Sequence, residues 1–93
     1  MIRSFRDSLT QRVFERQRVP RLAADVQRQA HRKLLLLDAA SALVDPRSPP
    51  GNRLERLRGD GAGQHSIRIN DQWRVCFVWR SDGPHDVEIC DYH

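Results

Sequence analysis

The 93-residue sequence closes with three side chains that can take part in proton transfer, Asp91, Tyr92 and His93. In an extended strand, residues two apart point to the same side and lie roughly 6.5–7 Å apart. Asp91 and His93 would then bracket a small reacting group, because a carboxylate accepts a proton and an imidazole gives or takes one near neutral pH. Tyr92 adds a hydroxyl and a ring on which a nucleobase can stack.

These side chains match the demands of RNA cleavage. A base must take the proton of the 2′-hydroxyl, an acid must protonate the departing 5′-oxygen, and cations must stabilise the phosphate. Asp91 and His93 suit the first two roles, in an order that the sequence leaves open. Arg74 and Arg58 suit the third, because a guanidinium donates two parallel hydrogen bonds to phosphate. The alternative is a frayed, inactive chain end. Arg74 would then be an ordinary surface residue or a cation–π partner of an aromatic ring.

The charge of the chain favours a polyanionic partner. Sixteen Lys and Arg residues stand against twelve Asp and Glu, which gives a net charge of +4, and Lys33 is the only lysine. Arginine suits phosphate recognition, although many basic proteins bind no nucleic acid. No spacing among the histidines and cysteines matches a zinc pattern, and the proposed chemistry requires no metal and no cofactor.

Composition and local patterns predict one globular domain over residues 1–93. The sequence carries no signal peptide and no apolar run long enough to cross a bilayer, so we expect a cytoplasmic protein without membrane contact. Cys76 and Cys90 would then be reduced, and both lie in apolar runs typical of buried small side chains.

The elements that must position the candidate site form an α+β fold. Capping and periodicity predict helices over residues 8–17 and 20–44, with Asp7 or Ser8 at the first cap and Pro20 in the first turn of the second. Strands are predicted over residues 2–5, 53–57, 65–70, 73–79 and 86–92. Short connections make the last three strands an antiparallel meander. We therefore predict two N-terminal helices packed on one face of a small, mainly antiparallel sheet, with the other face partly open.

Several motifs of the sequence resemble HigB-type toxins of the RelE/ParE superfamily, also called plasmid maintenance killer proteins. The resemblance rests on Leu-x-x-Leu-Arg-Gly at residues 54–59, on residues 63–67, on Asn-Asp-Gln-Trp-Arg at residues 70–74 and on the final Asp-Tyr-His. It spans nearly the whole chain. The stretch Ser-Pro-Pro-Gly-Asn-Arg-Leu-Glu at residues 48–55 is similar to the GraT subgroup of that family.

The resemblance implies a RelE/ParE-like fold and a ribosome-dependent mRNA endoribonuclease that inhibits translation and growth. It further implies metal-independent attack by the 2′-hydroxyl. A helix-turn-helix antitoxin of the HigA type would neutralise the toxin and, as a complex on operator DNA, repress the shared operon. The residues that match functional positions of the family are, for catalysis, Asp91, Tyr92, His93 and Arg74, and, for substrate binding, Arg58. Arg68 and Glu55 are further candidates for substrate binding.

Glu55 departs from the family pattern, because better-studied relatives carry a histidine there. A glutamate can act as a base, but it is a poor acid at neutral pH unless its pKa is raised. Glu55 would then either replace the histidine or be a surface residue.

Two other functions compete with the ribonuclease. One is a ParE-like toxin that poisons DNA gyrase without RNA chemistry, and the other is a non-catalytic basic RNA-binding module. The fold alone does not separate them. Paired acid–base groups at Asp91 and His93 favour the ribonuclease.

Overall fold

A computed structural model describes residues 1–43, 45, 50–56 and 63–91 of the chain. Two helices precede a four-stranded sheet. Their bounds are α1 Ser8–Phe14, α2 Ala24–Ala39, β1 Glu55–Arg56, β2 Gln64–Arg68, β3 Trp73–Arg80 and β4 Gly83–Asp91. The strands follow the order β1-β2-β3-β4 and each pair is antiparallel. The predicted α+β fold, with its antiparallel meander, is confirmed.

Helix α1 has both of its ends fixed by local chemistry. Asp7 caps the N-terminus, where its carboxylate accepts a hydrogen bond of 2.8 Å from the backbone N–H of Thr10. The helix ends three residues earlier than predicted because Arg16 adopts a left-handed conformation with φ of 64°. The N–H of Gln17 then donates to the carbonyl of Arg12 at 2.8 Å, and the N–H of Arg16 donates to that of Val13 at 3.1 Å. This closing pattern satisfies carbonyls that the helix would otherwise leave open.

The predicted N-terminal bound of α2 was wrong, because Pro20 lies in a turn that precedes the helix. In that turn the Arg18 guanidinium donates to the carbonyls of Val19 and Leu22, both at 2.9 Å. The Gln27 side chain also accepts from the N–H of Val19 at 3.1 Å. Val19 and Leu22 both pack in the core from this turn. They are three residues apart, which is also the spacing of apolar residues on one face of a helix, so the sequence predicted a helix there.

The predicted C-terminal bound of α2, at residue 44, was also too far along the chain. Ala40 is extended, with φ of −68° and ψ of 131°. The Asp45 carboxylate accepts hydrogen bonds from the N–H groups of Ser41 and Ala42 and from the Ser41 hydroxyl. A side chain that binds backbone N–H groups in this way competes with continuation of the helix.

The predicted strand over residues 2–5 was wrong, and the other four predicted strands occur with shifted ends. The N-terminal segment runs beside β4 through one parallel bridge, between Phe5 and Val87, and is not a full strand. Strand β1 begins two residues later than predicted, after Arg53, which adopts a left-handed conformation with φ of 47°. Residue 57, the predicted end of this strand, lies outside the described residues. Strand β2 ends at residue 68, before the hairpin. Strand β4 begins three residues early, at Gly83, whose φ of 127° allows the tight turn after β3. A further side chain there would clash with the carbonyl of Met1, 2.8 Å away.

Register divides the sheet into two faces. Ile67, Val75 and Ile89 are Cα partners across three strands, and all three belong to the core that packs against the helices. We call this side the helix face and the opposite side the outer face. The core residues are Val13, Val19, Leu22, Ala30, Leu34, Leu37, Ile67, Ile69, Val75, Phe77, Val87 and Ile89.

The outer face is less open than the sequence predicts. Ser66 and Cys76 are Cα partners on this face, and both are buried, as is Arg74. Burial of a charged side chain requires hydrogen-bond partners, which the next section describes.

Candidate active site

Asp91 ends β4 at the margin of the sheet and is exposed. Its Cα partner is Trp73, the first residue of β3. The carboxylate accepts a hydrogen bond of 3.2 Å from Nε2 of Gln72. Gln72 is held in turn by Asn70, whose side-chain oxygen accepts from the N–H groups of Gln72 and Trp73 at 2.9 and 2.8 Å. The turn before β3 therefore holds the backbone of Gln72, whose side-chain amide contacts Asp91.

A cleft of about 410 Å³ opens between this end of the sheet and the start of α1. Asp91, Trp73 and Ile89 line it from the sheet, and Arg21 and Ser8 are among the residues on its other wall. The cleft thus combines a carboxylate, a partly buried indole and a guanidinium. These are groups that accept a proton, stack on a base and bind a phosphate.

Arg74 lies on the outer face, since its Cα partner on β4 is Cys90 and not Asp91. Alternation along the strand therefore places the side chains of Arg74 and Asp91 on opposite faces. The Arg74 side chain is only 6% exposed. Its Nε donates to the Ser66 hydroxyl at 2.8 Å, and its Nη2 donates to the carbonyls of Ser66 and Arg53 at 3.2 and 2.6 Å.

These bonds connect three parts of the chain. Arg74 on β3 holds Ser66 on β2 and the backbone at Arg53, which precedes β1. A buried guanidinium needs several hydrogen-bond acceptors, and here β2 and the segment before β1 supply them. These hydrogen bonds hold the two segments to β3 and so stabilise this corner of the sheet. Contact between the Arg74 guanidinium and a phosphate stays a prediction.

Two further predicted site residues join Arg74 on the outer face. Glu55 is exposed and is the Cα partner of Ser66. Arg68 is the Cα partner of Arg74 and forms an ion pair with Asp71 in the hairpin turn. The structure therefore brings Glu55, Arg68 and Arg74 to one side of the sheet and leaves Asp91 on the other. Tyr92, His93 and Arg58 lie outside the described residues.

Three residues near the candidate site were missed by the sequence reasoning. Ser66, Asn70 and Gln72 contact Arg74, Trp73 and Asp91 directly. Asn70 had a signal, because asparagine in a short polar connection often bonds the backbone two residues on. Ser66 and Gln72 had no such signal in the sequence, since strand pairing brings them to partners that are not their neighbours along the chain.

His65, in β2, packs on Phe77. The two rings are stacked with centroids 6.0 Å apart. His65 Nδ1 is buried and has no hydrogen-bond partner within residues 1–43, 45, 50–56 and 63–91. The contact that the structure shows for His65 is therefore packing on a core residue.

Comparison with known proteins identifies the family. Residues 3–93 match a family model described as the RelE-like toxin of the type II toxin–antitoxin system HigB. The chain belongs to the HigB-like toxin family. Toxin HigB-1 of Vibrio cholerae serotype O1 is 41% identical over 80 residues, which covers 85% of this chain and 84% of that relative. This HigB-like chain is a toxin of a type II toxin–antitoxin system, and such a toxin has a cognate antitoxin as its partner.

The fold agrees with this family, because two helices packed on a four-stranded antiparallel sheet are consistent with RelE-like toxins. In the part of the chain that the structure describes, neither helix of this HigB-like toxin has the length and hydrophobicity of a membrane span. Similarity to the GraT subgroup stays a prediction.

Proposed function

We propose that this HigB-like chain is an endoribonuclease that cuts mRNA on the ribosome. The observation that carries the proposal is the placement of Asp91, an exposed carboxylate oriented by Gln72 at the mouth of a cleft. Membership of the HigB-like family over residues 3–93 supports it. Attack by the 2′-hydroxyl of the RNA needs a base and an acid close to one phosphate, and no metal.

In this proposal Asp91 and His93 exchange protons with the RNA. One takes the 2′-hydroxyl proton and the other protonates the 5′-oxygen, while the Tyr92 ring stacks on a base. The neighbouring cleft holds the flanking nucleotide, and its volume of about 410 Å³ falls in the range of small-molecule sites. Arg21 lines the same cleft, so we add it as a candidate for the phosphate contact.

The basic residues of the outer face act differently in this proposal. Arg74 is bound to Ser66 and to the Arg53 carbonyl, so we assign it the role of positioning the β1–β2 corner. Arg68 attracts the RNA backbone, and we assign the same role to Arg58, which lies outside the described residues. Glu55 is exposed on the same face and stands where the family histidine is expected, so it supplies a carboxylate on the path of the RNA.

We propose that the ribosome aligns the message for cleavage. Asp91 lies at one margin of the sheet, and the Arg74 guanidinium is bound to Ser66 and to the Arg53 carbonyl on the opposite face, so a partner that holds the message in place would assist the reaction. We further propose that a helix-turn-helix antitoxin of the HigA type neutralises the toxin in the cytoplasm. The complex would repress its operon through operator DNA.

The test compares induced wild-type toxin with Asp91→Asn in a bacterial host, with mRNA 5′ ends mapped after induction. Loss of a proton-transfer group reduces cleavage by about 10²–10⁴-fold. The matched control is Asp86→Asn, which makes the same change on the same strand. Asp86 is exposed and has φ of 51°, a conformation that asparagine tolerates. We expect in-frame cuts from the wild type and from Asp86→Asn, and few from Asp91→Asn.

Two outcomes would contradict the ribonuclease activity, and a third would contradict the role of Asp91. Intact messages accompanied by trapped gyrase or DNA breaks would identify a gyrase poison. RNA binding without cuts, unchanged by His93→Ala, would identify a non-catalytic binding module. Equal cleavage by Asp91→Asn and Asp86→Asn would leave a ribonuclease but remove Asp91 from its site.

A further inference from the structure

The only two cysteines of the chain meet on the outer face of the sheet. Cys76 is in β3 and Cys90 is in β4, 14 residues further on. Cys76 pairs with Glu88 and Arg74 pairs with Cys90, so the two cysteines occupy diagonal positions on one face of neighbouring strands. The Cys90 thiol donates to the Cys76 sulfur, with 2.6 Å between the two Sγ atoms.

Charged groups around the pair affect how readily it ionises. The pKa of Cys76 is lowered, chiefly because the Cys90 thiol donates a hydrogen bond to its sulfur. The same contact, followed by burial, raises the pKa of Cys90. Arg74 and Arg6 also favour the Cys76 thiolate, whereas Glu88 disfavours it. The pair therefore loses a first proton more readily than a second.

We propose that Cys76 and Cys90 are a site of reversible intramolecular disulfide formation, with a low-molecular-weight disulfide such as oxidised glutathione as the oxidant. The inference rests on the register of β3 and β4 and does not depend on the ribonuclease activity. A disulfide requires sulfurs about 2.05 Å apart on suitably close backbones. The two sulfurs here need to approach by roughly half an ångström to reach that length.

The exchange proceeds in two steps. Cys90 is the more exposed of the two, since Cys76 is only 3% exposed. The first proton leaves Cys76, whose pKa is lowered. Transfer of the Cys90 proton to Cys76 across the contact between the two sulfurs then makes Cys90 the thiolate, which attacks one sulfur of oxidised glutathione and releases one glutathione thiolate. Cys76 then loses its proton and attacks the Cys90 sulfur of the mixed disulfide, and the second glutathione leaves. The protein gives up two protons and two electrons, and one glutathione disulfide becomes two glutathione molecules.

Metal binding at the same place is the competing chemistry. Cys76, Glu88 and Cys90 offer three ligand atoms within 4.8 Å of one another. Tetrahedral zinc with Zn–S bonds of about 2.3 Å holds its sulfurs roughly 3.8 Å apart, so the cysteines would have to separate by more than an ångström. The Glu88 carboxylate also lies 3.7 Å from the Arg6 guanidinium in an ion pair. Disulfide formation requires the smaller rearrangement.

The test equilibrates the purified full chain in glutathione buffers of increasing oxidised fraction. Each sample is quenched with acid and labelled with a maleimide that adds mass to every free thiol. We expect both thiols to disappear together in one transition, in a monomer. Peptide mapping should then recover a cross-linked peptide pair that joins Cys76 to Cys90, and dithiothreitol should restore both thiols. Cys76→Ser and Cys90→Ser, checked for folding by circular dichroism, should each keep a thiol that forms only mixed or intermolecular disulfides.

Three outcomes would overturn the proposal. The thiols of the wild-type chain could titrate independently and each carry glutathione, or the chain could form disulfide-linked dimers only. Protection of both thiols by added Zn²⁺, reversed by a chelator and without any cross-linked peptide under oxidising conditions, would identify a metal site instead. Since the wild-type chain alone decides among these outcomes, the test does not depend on whether the serine variants fold.

Discussion

Replacement of Arg74 by methionine should destabilise the fold by about 3 kcal/mol. The guanidinium makes hydrogen bonds that include one to the Ser66 hydroxyl, one to the Ser66 carbonyl and one to the Arg53 carbonyl. A hydrogen bond that involves a charged group contributes about 1.5–3 kcal/mol, so three contribute roughly 4.5–9 kcal/mol before opposing costs. Burial of the cation opposes this by several kcal/mol. Methionine fills part of the volume but leaves the buried Ser66 acceptors without this donor.

That loss is large for a chain of this size. A stability of about 0.05–0.15 kcal/mol per residue gives roughly 5–14 kcal/mol in total. With a urea slope of about 2 kcal/mol per molar, the unfolding midpoint should fall by about 1.5 M. The fluorescence of Trp73 and Trp79, at the two ends of β3, reports unfolding. Arg80→Met is the matched control, because Arg80 is exposed at the end of the same strand.

A double-mutant cycle with Ser66→Ala isolates one of these bonds. The Arg74 Nε and the Ser66 hydroxyl should show a coupling energy of about 1–2 kcal/mol, within the range for residues in contact. If Arg74→Met shifts the midpoint no more than Arg80→Met, the buried hydrogen bonds do not stabilise this corner. Arg74 would then be a candidate for direct phosphate contact, as the sequence predicts.

Three further predictions concern stability. Thr10→Val should cost about 1–3 kcal/mol by urea unfolding, because the Thr10 hydroxyl accepts the buried N–H of Ile89 at 2.9 Å; Thr10→Ser, which keeps the hydroxyl, should cost less. A Cys76–Cys90 bond closes a loop of about 15 residues, which corresponds to about 3 kcal/mol. Oxidation should therefore raise Tm by roughly 12–24 °C; an unchanged Tm would contradict the expected constraint on the unfolded chain. The pKa of Lys33 is lowered, first by burial and then by Arg32 and Arg68. At pH values between that lowered pKa and the unfolded value of about 10.4, the unfolded chain binds more protons than the folded chain. The free energy of unfolding of the wild type, relative to that of Lys33→Met, should therefore rise with pH. A difference in urea midpoints that does not change with pH would refute this.

Local chemistry in the sequence was sufficient to predict most elements. Asp7 caps α1 because its short carboxylate reaches the N–H of Thr10, a bond that involves only neighbours in the chain. The strands β2, β3 and β4 follow from alternating or apolar runs between short polar connections. Wherever an element depends on residues a few positions apart, the sequence is enough to predict it.

The ends of α2 required the tertiary structure. Val19 and Leu22 have helical spacing, yet Arg18 binds their carbonyls and holds them in a turn. The same apolar spacing serves a helix or a turn that reaches the core, and only the packed structure separates the two.

The sequence also predicted which residues carry candidate chemistry, but it did not predict their sides of the sheet. Asp91 and Arg74 looked like neighbours, and the pairing of Asp91 with Trp73 and of Arg74 with Cys90 puts them on opposite faces. Register assigns every side chain of a strand to a face, because a shift of one residue reverses them all. The contact between Cys76 and Cys90 depends on the same register.

The sequence by itself therefore determined the fold class, the family resemblance and the identity of Asp91 as a candidate acid–base group. Only the tertiary structure decided that Gln72 orients Asp91, that Arg74 is buried against Ser66, and that the two cysteines meet. The reason is physical. Residue type and spacing along the chain set local conformation and intrinsic chemistry, whereas contacts between strands depend on a register that the whole packed core selects.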